Sequence, residues 1–308
     1  MKMTDISQSL LRKDGYVAVQ IARDLLGRRP GERLPRVQDY AETFQTGHGT
    51  IQHGLKLLVE AGAIALEARG HLGTYLAAMD CKKLWEISGQ AFILGLMPLP
   101  YSRRYEGLAT GVYEAFRKAN VPFNLAYIRG SANRLQALER NQGDFVVLSR
   151  MSVEAAQKEH DITIVVGFGP RTYVGEHALV LRKGVHGAIT EGMRVGVDPH
   201  SLDQCQLTRR LCEGKRVEMV EIKYTQVIEM LELGRIDAVV WNADEVPRSG
   251  KVRVVQIDLG PQSSNTEAVL VARKDRTEIE RILSHVVVPS EVLEVQRQVL
   301  SGERIPSY

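Results

Sequence analysis

The stretch "GHGTIQHGLKLLVEAG" (residues 47–62) has two unlike halves. The second half is apolar at helical spacing, with Ile51, Leu55, Leu58 and Val59 on one stripe and Gly62 at the position where helices stop in a left-handed residue. The first half holds His48, Gly49, Thr50, Gln52, His53 and Gly54, which neither pack well nor favour helix. Either these groups bind a metal or they face a partner. Residues five apart lie about 140° apart around a helix, so His48 and His53 do not share a face and a metal pair is disfavoured. A partner-facing helix end is the better reading.

Working outward, Val17, Ala18, Ile21, Ala22 and Leu25 mark an earlier helix, closed by Gly27 and the loop "GRRPGERLP" (27–35). Pro35 suits the first turn of a second helix, along which Val37, Tyr40, Ala41 and Phe44 form one stripe. "QTGHG" (45–49) is a tight turn, and "AIALEARGHLGTYLA" (63–77) reads as a β-hairpin. Helix, helix, turn, helix, hairpin is the order of a winged helix-turn-helix. In that motif the N-terminal end of the second motif helix enters the DNA major groove. His48, Gly49, Thr50, Gln52, His53 and Lys56 are the candidates there, since Gln can pair with adenine and Thr can touch a thymine methyl. Gly49 and Gly54 are expected to let backbone approach the DNA closely. Arg33 and Arg36, in an Arg-rich loop with Arg28 and Arg29, and Arg69 and His71 in the hairpin, complete the expected DNA-binding set.

These residues resemble the DNA-binding domain of the GntR family. "GERLP" (31–35), "GHGTIQHGLKLLVEAG" and the Gly-Thr wing "GHLGTYL" (70–76) follow the family's order and spacing. The resemblance implies a DNA-binding function for roughly residues 15 to 77. Gln38 and Gln52 stand where the family often has Arg, and Arg36 where Ser is usual, so phosphate-seeking charge is reduced.

"AMDCKKLWEISGQA" (78–91) reads as a connector. Beyond it strands alternate with helices: "FILGLM", a helix over about 103–119, "FNLAYI", a helix through Leu135 and Leu138, and "DFVVL". This βαβαβ order implies a parallel sheet covered by helices. The pattern then recurs. "NRLQALERNQGDFVVL" (133–148) aligns without gaps to "QVIEMLELGRIDAVVW" (226–241), so Leu138 meets Leu231 and Asp144 meets Asp237. Two α/β halves suggest a two-lobed body with a cleft, crossed by the chain at 162–184 and again at 252–274. This resembles the type 2 periplasmic-binding-protein fold, which LysR-type regulators also use as an effector domain. Together with the winged helix it resembles the YhfZ family of regulators. The expected domains are 1–80 (an α+β winged helix), a linker at 81–91, and an α/β body over 92–308. Lobe 1 is expected at about 92–170 and 255–308, and lobe 2 at about 171–254.

In open α/β sheets ligands bind beyond the carboxyl ends of strands. Here those ends offer Tyr101, Ser102, Arg103, Ser131, Asn133, Ser149, Arg150, Asp198, His200, Ser201, Thr225 and Asn242. Helix N-termini with serines favour a carboxylate or phosphate, and Arg103, Arg129 and Arg150 could pair with it. A small polar, anionic effector is expected. His200 is the one histidine expected at the cleft, with His177 and His186 elsewhere. "GFGPRTYVG" (167–175) has the wrong spacing for a dinucleotide site.

Bulk properties set limits. The 308 residues are 44% hydrophobic and 25% charged with a net charge of +3, an ordinary globular composition whose charge does not announce nucleic acid. Cys81, Cys205 and Cys212 are too few for a disulfide scaffold and fit reduced thiols in the cytoplasm. Neither a signal peptide nor a membrane span is expected. The leading reading is a ligand-responsive transcription regulator: a homodimer on double-stranded operator DNA, with a small-molecule effector, no cofactor, no metal and no catalytic residue. A ligand-sensing module acting through a protein partner and a small-molecule enzyme on the two-lobed body stay open as alternatives.

Overall fold

A computed structural model describes residues 13–89, 92–246, 250–257 and 263–308. They form two compact units. Among the described residues, no helix is long and apolar enough to cross a membrane.

The first unit opens with α1 (Lys13–Leu26), whose Val17, Ala18, Ile21, Ala22 and Leu25 are buried, as their spacing requires. Next comes α2 (Val37–Thr43). Pro35 lies before the N-cap rather than in the first turn. The Asp39 carboxylate instead accepts from the Arg36 N–H at 2.8 Å. The opening stretch forms α3 (His48–Glu60), capped by Gly47. It ends as expected at Gly62, with φ +63° and a bond from Ala63 N–H back to Leu58 O of 2.9 Å. Two details of its packing differ from expectation. Val59 is exposed, and Gly54 faces inward against α1 rather than outward: a Cβ there would lie 3.1 Å from Val17 Cγ1 and 3.2 Å from the Ala18 amide nitrogen. Gly54 serves helix packing, not DNA approach.

The hairpin is β1 (Ile64–Ala68) and β2 (Thr74–Met79), antiparallel with an irregular register after Ala65. The loop before α2 joins it, with Arg33 bridging Tyr75 and Leu34 N–H donating to Thr74 O. The expected connector is a helix instead, α4 (Cys81–Ser88). Asp80 caps it, Leu84 and Trp85 are buried, and Ser88 O accepts from Arg23 of α1 at 3.0 Å. Burial of two large apolar groups, each contributing about 1.5–3 kcal/mol, fixes this segment to α1.

The second unit carries two five-stranded sheets. The first sheet is built from β3 (Ile93–Met97), α5 (Arg103–Lys118), β4 (Phe123–Tyr127), α6 (Ser131–Glu139), β5 (Phe145–Ser149), α7 (Arg150–Ala156) and β6 (Ile162–Gly167). The chain then enters the other sheet through β7 (His177–Arg182). It continues through β8 (Arg194–Val197), α8 (Leu202–Cys212), β9 (Glu218–Glu221), α9 (Val227–Glu232), β10 (Ala238–Asn242) and β11 (Val252–Gln256). It returns to the first sheet as β12 (Ala268–Arg273), then forms α10 (Thr277–Val286) and α11 (Pro289–Ser301). Strand orders are β4-β3-β5-β12-β6 and β11-β7-β10-β8-β9. The sheets are mixed, not parallel: β12 runs antiparallel to β5 and β6, and β7 to β10 and β11. The strands that follow each crossing run opposite to the strands they pair with in the sheet they join.

The internal repeat has a physical basis. Asp144 donates its N–H to Leu94 O at 2.8 Å and accepts from Leu94 N–H at 2.9 Å. Asp237 does the same with Arg194, at 2.8 and 3.0 Å. Each aspartate clamps the strand it opens to a parallel neighbour, β5 to β3 and β10 to β8. Residues 115–124 and 275–288, expected in lobe 1, group with the winged helix in the first unit. There Arg281 of α10 pairs with Asp24 of α1 at 2.7 Å.

Candidate functional site

The first unit presents the expected DNA-facing groups on its surface. His48, Gly49, Gln52, His53 and Lys56 of α3 are exposed, and Thr50 is half-buried. Their first-turn N–H groups and polar side chains suit base edges and phosphates. His53 Nε2 lies 3.3 Å from the Asp14 carboxylate, so this side chain is already engaged within the unit. Lys56 reaches Glu60 at 3.6 Å, a weak exposed pair. At the hairpin, Arg69 lies 4.3 Å over the Tyr75 ring and bonds Glu67, while His71 is exposed at the tip. Arg33 lies over Gly73, where a Cβ would be 2.8 Å from its Nε. Arg28, Arg33 and Arg36 line one hollow beside α2 together with Asp39, whereas Arg29 lies outside it and donates to His285 Nδ1 at 3.0 Å.

In the second unit a cavity lies between the two lobes. Its volume is about 610 Å³ including its open mouth. Of the expected effector residues, Tyr101, Ser131, Asp198, Ser201 and Asn242 line it. Ser102, Arg103, Asn133, Ser149, Arg150, His200 and Thr225 do not.

The reasons are specific. Ser102 caps α5 by accepting from Tyr105 N–H at 3.3 Å. Arg103 is exposed and pairs with Glu106, and Arg150 is held bidentately by Glu267 at 2.6 and 2.8 Å. Asn133 donates to Arg129 O, and Thr225 sits in a separate shallow hollow with Tyr224 and Glu245. His200 is exposed, and its carbonyl accepts from Ala132 N–H of the other lobe at 3.2 Å. The histidine that lines the cavity is His177. Burial pushes its pKa down to about 4, against the opposing charge of Asp244, so it is neutral.

Bonds across the cleft hold the lobes together. Arg129 pairs with the buried Asp198 at 2.8 Å, and the same carboxylate accepts from the His200 and Tyr224 N–H groups. Ser131 Oγ accepts from Leu202 N–H at 2.9 Å. Ser149 and Ser152 both donate to Asp203 Oδ1, at 2.6 and 2.5 Å. Burial raises the Asp203 pKa, a shift opposed by those two hydroxyls and by the charge of Arg134. Gly130 makes the close approach possible. Its φ is +81°, and a Cβ would lie 2.8 Å from both His200 Cβ and His200 O.

Sequence reasoning missed Arg134. This side chain is only 2% exposed and lines the cavity. Its bonds go to Val147 O, Ile128 O and the Tyr173 hydroxyl, at 3.1, 2.8 and 2.9 Å. A signal was present: the internal alignment sets Arg134 opposite Val227, which is 1% exposed. An arginine in a core position of a repeat marks a specialised lobe. The walls are aromatic, with Tyr105 and Tyr173 edge to face and Tyr224 stacked on Trp241 at 3.5 Å between ring centres.

Comparison with known proteins is consistent along the chain. A family model described as the YhfZ C-terminal domain matches residues 80–308, and a helix-turn-helix domain model matches 29–76. The YhfZ protein of Escherichia coli (strain K12) is 34% identical over 307 residues, covering 98% of this chain and 99% of that relative. The crystal structure of YhfZ from Shigella flexneri matches with a TM-score of 0.62 at 34% identity, over 71% of this chain and 94% of that one. The periplasmic aliphatic sulphonate binding protein SsuA from Escherichia coli matches with a TM-score of 0.53 at 15% identity, over 69% of this chain and 74% of that one. An ancestral arginine-binding protein bound to arginine gives 0.52 at 18%, over 69% of this chain and 98% of that one. These last two show the fold alone: the body has the type 2 periplasmic-binding-protein fold.

Proposed function

This chain belongs to the YhfZ family, and from that premise we propose that it is a ligand-responsive DNA-binding regulator. The winged helix binds double-stranded operator DNA through Thr50, Gln52, His48 and Lys56 of α3, with Arg33, Arg36, Arg69 and His71 on the backbone and wing. It does so as a homodimer on a two-fold-related site. A small polar metabolite with an anionic group enters the cleft, and its preference for one lobe arrangement alters DNA affinity.

The observation that supports the ligand half most strongly is Arg134. A buried cation whose hydrogen bonds all go to uncharged acceptors is costly unless an anion joins it. For the DNA half the support is the exposed polar face at the start of α3 beside the basic hollow.

The test is capture of fragmented genomic DNA by the purified protein, repeated with Gln52→Ala. Selective retention of a few fragments, lost in the variant, is expected. Absence of selective retention at low salt would overturn the DNA assignment and turn attention to a protein partner for the winged helix.

A further inference from the structure

Resting on that reading, we infer that the cleft ligand is a small zwitterion carrying an anionic group and an ammonium, the class to which α-amino acids belong. Four charged side chains line the cavity: Arg129, Arg134, Asp198 and Asp203. Arg129 and Asp198 satisfy each other, and backbone N–H groups complete the Asp198 carboxylate. The other two do not pair. No nitrogen of Arg134 lies within 4.0 Å of an Asp203 oxygen, and both side chains are more than nine-tenths buried.

Both side chains line the same cavity with hydrogen-bonding capacity unspent. A guanidinium has five N–H groups, and Arg134 spends three of them on Val147 O, Ile128 O and the Tyr173 hydroxyl, so two are left. Asp203 receives both serine hydroxyls on Oδ1, and Oδ2 carries no hydrogen bond from the described residues. The two groups are near enough for the Arg134 charge to act on the Asp203 carboxyl.

A simple anion would satisfy Arg134 and meet repulsion from Asp203. A simple amine would do the reverse. With His177 neutral, the formal charges of the lining cancel, which fits a ligand of no net charge. Both charges line one cavity, so one small molecule can meet them together. Tyr101, Tyr105, Tyr173, Tyr224 and Trp241 leave an aromatic wall for the rest of the molecule.

The rival explanation for Asp203 is a latch that only ties the lobes through Ser149 and Ser152. Calorimetry separates the two. The probes are the standard amino acids, each matched with the carboxylic acid lacking the amine and the amine lacking the carboxylate. An amino acid is expected to bind where neither matched half does. Asp203→Asn is expected to weaken that amino acid by about tenfold or more, the range of one charge-assisted bond, while leaving the matched carboxylic acid unchanged. A latch alone predicts equal losses for both. If the carboxylic acids bind wild-type protein as tightly as the amino acids, the zwitterion inference falls and the cleft sensor stands. If no probe of any class binds, both fall. The wild-type comparison decides even if Asp203→Asn does not fold.

Discussion

Replacing Asp24 by Asn tests the framework of the first unit. Its carboxylate accepts three bonds of 2.7 Å, from Arg28 Nε, Arg281 Nη1 and the Tyr40 hydroxyl. These join α1, α2 and α10 at one point. The Asp24 and Arg28 side chains are each 17% exposed, whereas Arg281 is 47% exposed. A charge-assisted bond contributes about 1 kcal/mol more than a neutral one, so losing the charge at Arg28 and Tyr40 costs roughly 2 kcal/mol. The solvent-screened Arg281 pair adds only about 0.2–1 kcal/mol. The expected loss at neutral pH is therefore about 2–3 kcal/mol. Burial alone would raise the Asp24 pKa, but the bonds from Arg28 and Tyr40 and the charges of Arg28 and Arg281 outweigh it and hold it below the usual range. A carboxyl depressed in the folded state stabilises above its unfolded pKa of about 3.9, and that stability is lost as pH falls through the folded value. The gap between wild type and Asp24→Asn should thus be full at pH 7 and shrink in acid below pH ~4. Denaturant unfolding of the full chain measures it, with Trp85 as the first unit's reporter in a Trp241→Phe background. A loss below about 0.5 kcal/mol at pH 7, or a gap that does not close in acid, would refute the reasoning.

Other outcomes follow from single contacts. Gly54→Val places a Cβ against Val17 and the backbone of Ala18, which cannot yield without moving α1. A loss of about 1–3 kcal/mol in denaturant unfolding is expected, and an unchanged midpoint would contradict the close helix approach. Gly130→Ala combines a left-handed backbone, costing about 1–2 kcal/mol, with a clash on His200 of the facing lobe. Its melting temperature should fall, and a neutral result would mean the lobes do not meet there. Burial raises the Glu245 pKa to about 7, against the bonds from Asn242 and Tyr224. A raised carboxyl pKa makes ionisation destabilising, so wild-type stability should decline between roughly pH 4.3 and 7 and then level off. Glu245→Gln should remove that decline; melting curves that shift in parallel across this range would count against it.

The primary structure by itself determined the winged helix and the two-lobed repeat, because both rest on local periodicity and short-range punctuation. Gly62 stops α3 through its own backbone, and Leu138 and Leu231 are buried because each lies on the inward stripe of its own helix. Asp144 and Asp237 were visible as equivalent positions, although their shared task of clamping a neighbouring strand was not. The cleft was legible only as a region. Strand ends located it, but which side chains face inward depends on charge pairing between distant segments. Arg129 meets Asp198 across 69 positions, Arg150 meets Glu267 across 117, and Ser149 meets Asp203 across 54. A guanidinium or hydroxyl that looks available in the sequence is thus consumed by a partner far along the chain. Tertiary structure alone decided that Arg150 is engaged elsewhere, that His177 and not His200 lines the cavity, and that Arg134 and Asp203 keep unspent hydrogen-bonding capacity there. Burial sets the energy scale of a charge, and burial is a property of the assembled lobes rather than of any one segment.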